Sequence, residues 1–218
     1  KWWQARPRPV EVKFSVEAPP RTEIENEQKP NPLLVKFERG AAPIALVGKE
    51  VTQGLTSSPA IEGTWRWRDD RTLEFMPKAD WPVGTDFSVH IDKTAVAPQI
   101  RLAAWEFTYR APAFVAKLVS AEFYQDPVDP ALKKAVVSLN FSHPVDPTSL
   151  EKRVEMRMAG AAAGVLGIGA EKTGFVVSYD KLRLNAYLHS QPLPIPKDGT
   201  TLEIAIDRGV QAARGGKP

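Results

Sequence analysis

Thr64-Trp65-Arg66-Trp67-Arg68-Asp69-Asp70-Arg71-Thr72-Leu73-Glu74-Phe75-Met76-Pro77 spells out a strand, a turn and a returning strand. Successive strand side chains point to opposite faces, so Trp65 and Trp67 share one face while Arg66 and Arg68 share the other. Asp69-Asp70 supplies the turn, because Asp side chains accept hydrogen bonds from the backbone that follows. A hairpin with one apolar and one charged face must bury the apolar side against a second layer.

Similar runs extend outward from this hairpin. Val10–Val16 alternates and stops before Pro19-Pro20, and Leu33–Phe37 follows the proline-rich Lys29-Pro30-Asn31-Pro32. Gly84–Ile91 and Trp105–Tyr109 alternate again. Short strands at this spacing, separated by turn residues, predict an immunoglobulin-like β-sandwich.

The pattern then restarts. Leu118–Phe123 and Val136–Phe141 lie 104 positions beyond Phe14 and Phe37, pairing Leu118 with Phe14 and Phe141 with Phe37. Gly199–Ile206 mirrors Gly84–Ile91 at an offset of 115, so the second copy carries about eleven more residues in its middle loops. The fold class read from this is all-β, with two tandem immunoglobulin-like (macroglobulin-type) sandwiches. The first spans 1–111 with an N-terminal extension and the second spans 112–218, joined at Arg110-Ala111-Pro112-Ala113. The counterpart of Trp105–Tyr109 falls near position 220, so the second sandwich is expected to lack its final strand. Single helical turns are expected at Ala131–Lys134 and at Pro147–Lys152, the latter capped by Thr148 or Ser149. Ala159–Ala170 reads as a loop or a strand edge.

Composition narrows the chemistry. Twenty Pro among 218 residues oppose long helices. With no Cys, disulfides, zinc–thiolate sites and cysteine nucleophiles are excluded from this stretch. The net charge is +3, but Lys and Arg are interspersed with Asp and Glu rather than gathered into a stripe, which argues against nucleic acid as a partner. No apolar run approaches the roughly 20 residues of a membrane span. A start at Lys1-Trp2-Trp3 without Met reads as a cut or processed beginning.

The candidate sites read as structural. His90, His143 and His189 lie in three separate contexts with no ligand-like spacing. Asp69, Asp70 and Asp80 suggest calcium, but Arg66, Arg68 and Arg71 flank the pair and turn chemistry suffices. Asp126, Asp129 and Asp146 sit beside prolines and read as turns. There is no Gly-x-Ser-x-Gly elbow, and Gly164–Gly169 lacks the Lys-Ser/Thr of a phosphate loop. No catalytic, cofactor or metal residue is assigned. The residues singled out are core anchors: Phe37, Trp65, Trp67, Phe75, Trp81 and Phe141. A row of exposed Trp would instead make a sugar-stacking platform. Trp2-Trp3 lies outside the strand pattern, next to Arg6-Pro7-Arg8-Pro9.

The Trp strand, acidic turn, Leu73-Glu74-Phe75-Met76-Pro77 return and Trp81-Pro82-Val83-Gly84-Thr85 turn occur in an order that resembles the N-terminal macroglobulin domains of bacterial α2-macroglobulin-like proteins. Phe141-Ser142-His143-Pro144-Val145-Asp146-Pro147 is similar to a signature of the same proteins, shared with surface-layer Ig-like domains. The resemblance implies a very large periplasmic parent, anchored to the inner membrane, that entraps proteases after cleavage of a bait region. In some members a Cys–Gln thioester captures the protease; with no Cys, none lies within these residues. It further implies a non-enzymatic module whose partners are the parent's other domains, proteases and cell-envelope proteins. The alternative reading is a tandem Ig-like stalk or glycan-binding module of a surface-layer protein or adhesin.

Overall fold

Gly63–Trp67 and Thr72–Pro77 pair antiparallel, with Trp65 opposite Phe75 and Trp67 opposite Leu73. The computed structural model containing this hairpin describes residues 9–23, 29–130, 132–159, 171–193 and 201–215. Trp2-Trp3, Gly164–Gly169 and most of Ala159–Ala170 lie outside the described residues. The chain divides into two compact units, Lys1–Pro112 and Ala113–Pro218.

The first unit contains β1 (Val10–Val12), β2 (Phe14–Glu17), β3 (Leu33–Phe37), β4 (Glu50–Val51) and β5 (Leu55–Ser58). It continues with β6 (Gly63–Trp67), β7 (Thr72–Pro77), β8 (Asp86–Ile91), β9 (Ile100–Leu102) and β10 (Glu106–Arg110). A five-stranded sheet runs β2-β3-β7-β6-β4, a three-stranded sheet runs β10-β8-β5, and β1 pairs with β9. Alternation explains what fills the core. Leu33, Val35 and Phe37 of β3, Leu73 and Phe75 of β7, and Phe87, Val89 and Ile91 of β8 are all buried.

One expectation is corrected here. Val10–Val16 does not form a single strand. The run divides at Lys13: Val10 N–H bonds the Gln99 carbonyl on the β9 side, whereas Phe14 lies opposite Phe37 in β3. β1 is parallel to β9, and β2 is antiparallel to β3. The change of partner buries Val12, while Phe14 and Val16 join the five-stranded sheet and pack half-buried against the core.

The second unit contains β11 (Ala116–Gln125), β12 (Lys133–Phe141), α1 (Pro147–Glu151), β13 (Val154–Ala159) and β14 (Glu171–Lys172). It continues with β15 (Phe175–Tyr179), β16 (Asn185–Ser190) and β17 (Thr201–Ile206). Its sheets run β11-β12-β16-β15 and β14-β13-β17. Ala135, Val137, Leu139 and Phe141 of β12 meet Val154 and Met156 of β13 in one core with Ala186 and Leu188 of β16.

Three sequence expectations are revised. Lys133 and Lys134 belong to β12 rather than to a helical turn, because the reversal is made earlier. There the Asp126 carboxylate accepts the Val128 and Asp129 N–H groups, and Leu132 N–H bonds the Asp129 carbonyl. The N-cap position of the helix at Pro147 falls on Asp146, without a side-chain cap hydrogen bond, and not on Thr148 or Ser149, since Pro147 takes the first turn where its absent N–H costs nothing. Ser149 is buried and accepts the Gln211 N–H at 2.8 Å. The repeat register also differs. Leu118 lies opposite Leu139 as Val16 lies opposite Val35, so Leu118 matches Val16, and Ala116 takes the place of Phe14. A slip of two residues preserves the face, and so escapes a pattern of period two.

Candidate interaction surfaces

The six anchor residues lie in the two units as follows. Trp67 is fully buried, and Phe37, Phe75, Trp81 and Phe141 are buried; Trp65 is half-buried. The aromatic side chains of the first unit touch in series. Phe37 meets Trp67 at 5.2 Å between centroids, Trp65 meets Phe75 at 4.9 Å, and Phe75 meets Trp81 at 5.7 Å. Trp81 then packs edge-on against Tyr109 at 5.3 Å, while its indole N–H bonds the Asn31 carbonyl at 2.8 Å. Burying an indole as large as Trp67 contributes roughly 4–6 kcal/mol as an upper figure. Trp67 and Trp81 are buried and so offer no open indole face as a sugar platform requires.

The titratable residues are dispersed. His90 and His189 are exposed on β8 and β16, and His143 is half-buried with Nδ1 3.0 Å from Ser142 Oγ. Among the described residues no group of three or more His, Asp or Glu is arranged to hold a metal ion. Burial is the largest single influence on the Asp69 carboxyl and pushes it up, but hydrogen bonds from the Arg71 N–H and from the Thr72 hydroxyl and N–H together outweigh this and hold it below the usual range. The Arg71 N–H lies 2.8 Å from Asp69 Oδ1, and the Asp70 carbonyl accepts N–H groups from Ala41 and Ala42. Asp126 is likewise held low by the Val128 and Asp129 N–H groups. These carboxylates organise turns.

Among the described residues, Glu155, Arg157 and Lys172 form a charge cluster on the outer face of the β14-β13-β17 sheet. Glu155 bonds Lys172 Nζ at 2.7 Å and also the Arg157 guanidinium, and both cations hold its carboxyl low, Lys172 more strongly. With Glu203 and Asp207, Glu155 and Arg157 line a shallow hollow of mixed charge. An exposed network of this kind contributes little to stability and shapes the surface instead.

The second unit also exposes apolar side chains. Leu118 and Phe123 on β11 are 59% and 51% exposed, and Val176 on β15 is 69% exposed. Val128, at the tip of the β11–β12 hairpin, is 92% exposed. Leu118 and Phe123 lie opposite the buried Leu139 and Ala135, so they belong to the core-facing side of their sheet. Sequence reasoning missed them because alternation puts residues five apart on opposite faces, and only the register shift between Leu118 and Ser120 brings the two to one side. Val176 lies opposite the exposed His189 and so belongs to the outward face, whereas the core-facing exposure of Leu118 and Phe123 marks a surface for contact.

Two tiers of likeness fit this geometry. Residues 30–97 match the bacterial Ig domain family, which accounts for most of the first sandwich. Over its whole length the chain is 37% identical to the "Alpha-2-macroglobulin homolog" of Yersinia pestis, and over 84% of its length it is 34% identical to the "Alpha-2-macroglobulin" of Pasteurella multocida. A more distant relative, 21% identical over 80% of the chain, is the "Alpha-2-macroglobulin" of Rickettsia conorii. The chain is therefore a segment of the bacterial α2-macroglobulin-like family. It spans about a tenth of the length of these curated relatives.

Proposed function

We propose that this chain is a non-catalytic structural and protein-interaction module from the N-terminal part of a periplasmic α2-macroglobulin-like protein. The parent traps or inhibits proteases as part of cell-envelope defence. The observation that carries this reading is the 37% identity along the entire chain to a protein named for that family. Two sandwiches with dispersed titratable groups and exposed apolar strips suit a role in holding and contacting other parts of a large trap. The parent's other domains, target proteases and envelope proteins are its partners, and the parent is tethered at the inner membrane.

The test uses the full-length parent. Treatment with elastase or trypsin is expected to give a limited cut followed by a change in native-gel mobility. The protease should then cleave small peptides but not large proteins. A parent that is cut without changing shape, or that leaves the protease free to digest large substrates, overturns the reading. Fractionation of cells tests the compartment: recovery in the cytoplasmic fraction counts against it.

A further inference from the structure

The two units provide an internal comparison that identifies what covers the exposed strip on β11. In the first unit β8 sits between β10 and β5, with Phe107 opposite Val89 and Tyr109 opposite Phe87. β10 also closes over the first edge of the other sheet. Phe107 meets Phe14 edge-on at 5.8 Å, and Phe14 and Val16 share one hollow with Glu106 and Phe107. Beneath that cover Phe87, Val89 and Ile91 are 1% exposed or less.

β17 is the counterpart of β8, yet among the described residues it pairs with β13 alone. Asp207 N–H donates to the Arg153 carbonyl at 2.8 Å, which fixes the hydrogen-bonding sense of the pair. Alternate residues of a strand send both backbone groups the same way, so Glu203 and Ala205 also face β13. Leu202, Ile204 and Ile206 therefore direct their N–H and C=O groups to the opposite edge. Leu202 and Ile204 are only half-buried and Ile206 is 37% exposed, where the β8 residues are sealed. Across the sandwich Leu118, in register with Val16, and Phe123 are uncovered as well. One strand laid beside β17 would satisfy the open backbone edge and cover both side chains.

The repeat also indicates where that strand comes from. In the first unit Ala97 N–H bonds the Ala41 carbonyl at 2.8 Å. In the second unit Val145 bridges Ala212, the positions that the offsets of 104 and 115 assign to the same contact. Correspondence thus holds through Ala212, after which the first unit supplies β9 and then β10. The equivalent of β10 falls at about position 221 to 225, and the relatives are roughly nine times longer than this chain. Asp207–Gly215 does not fill the gap, because Gln211 and Ala213 bond to Asp146 and Pro144 beside α1.

We propose that a strand of the same polypeptide, drawn from the residues that follow 218, adds antiparallel to β17 and seals Leu118 and Phe123. Its inward positions carry apolar side chains, one of them in the role of Phe107. The proposal requires nothing of protease trapping, and its test adds no protease, so the two readings fail separately.

In the purified full-length parent, single substitutions Leu118→Cys and Phe123→Cys are treated with a maleimide and read site by site by mass spectrometry. Lys117→Cys and Glu122→Cys, on the outer face of β11, serve as references. The inward pair is expected to react at least about tenfold more slowly than the references. Equal rates overturn the proposal. p-Benzoylphenylalanine at position 123 keeps an aromatic ring there and identifies the cover by photo-crosslinking. A crosslink to the residues directly following 218 in the same chain is the expected product. A crosslink to a second copy, to another protein, or to a remote domain of the parent overturns the assignment.

Discussion

The indole Nε1 of Trp67 donates a hydrogen bond of 3.1 Å to the main-chain carbonyl of Ala95, tying β6 to the short turn that follows β8. Both residues have no exposed surface. Trp67→Phe removes the donor and leaves a buried carbonyl without its partner, for an expected loss of about 1–3 kcal/mol. Trp67→Ala adds a cavity and should cost about 3–5 kcal/mol. Urea unfolding measures both. A cost for Trp67→Phe no larger than that for Trp65→Phe, at a half-buried site, contradicts this account.

Gly54 and Gly48 both have positive φ, 82° and 77°, but their surroundings differ. A Cβ on Gly54 would lie 2.4 Å from Thr94 Oγ1 and 3.0 Å from the Ala95 N, whereas one on Gly48 meets open space. Gly48→Ala should therefore cost only the backbone strain, about 1 kcal/mol. Gly54→Ala must also displace the turn that receives the Trp67 hydrogen bond, and is expected to lower the melting temperature clearly further. Similar shifts for the two variants would refute this distinction.

Ser190, 3% exposed, accepts the buried Ala135 N–H at 2.8 Å and donates to the Gln191 carbonyl. Ser190→Ala leaves that amide unsatisfied and should cost the second unit about 1–3 kcal/mol. Amide exchange at Ala135 should quicken in step with the loss. Unchanged exchange would show that another acceptor takes over.

Alkaline pH should loosen both units. Burial raises the Tyr109 hydroxyl well above the ordinary value of 10.0, and burial with a hydrogen bond to Glu151 does the same for Tyr179. The unfolded chain ionises these groups near pH ~10, while the folded chain keeps them protonated. Their stabilisation is thus complete below pH ~10 and declines as the pH rises beyond it. Tyr109→Phe and Tyr179→Phe should each flatten the fall in stability between pH ~9 and pH ~11, read by urea unfolding. Tyrosinate absorbance checks the titration: two groups should resist ionisation until the fold is lost.

The fold was legible where local chemistry and tertiary need coincide. Trp65-Arg66-Trp67 and Leu73-Glu74-Phe75 carry period two, an acidic turn and large inward residues together, so their pairing follows from the residues alone. β5 is Leu-Thr-Ser-Ser and β16 is Asn-Ala-Tyr-Leu-His-Ser. Neither contains an apolar β-branched residue, and both are strands because β8 and β12 supply their hydrogen-bonding partners. The switch at Lys13 was illegible for a related reason, since alternation continues unbroken through a change of sheet. The exposed pair on β11 shows a further limit, as the irregularity after Leu118 that brings Leu118 and Phe123 to one face has no local signal in the residues.

The switch at Lys13 has a mechanical consequence. β1 runs parallel to β9, so tension entering the chain at Val10 draws β1 along its own length against β9, which is followed by β10 held in its sheet beside β8. Their hydrogen bonds lie across that line and are loaded together in shear rather than opened one by one from an end. A short three-residue pair thereby acts as a latch against stretching.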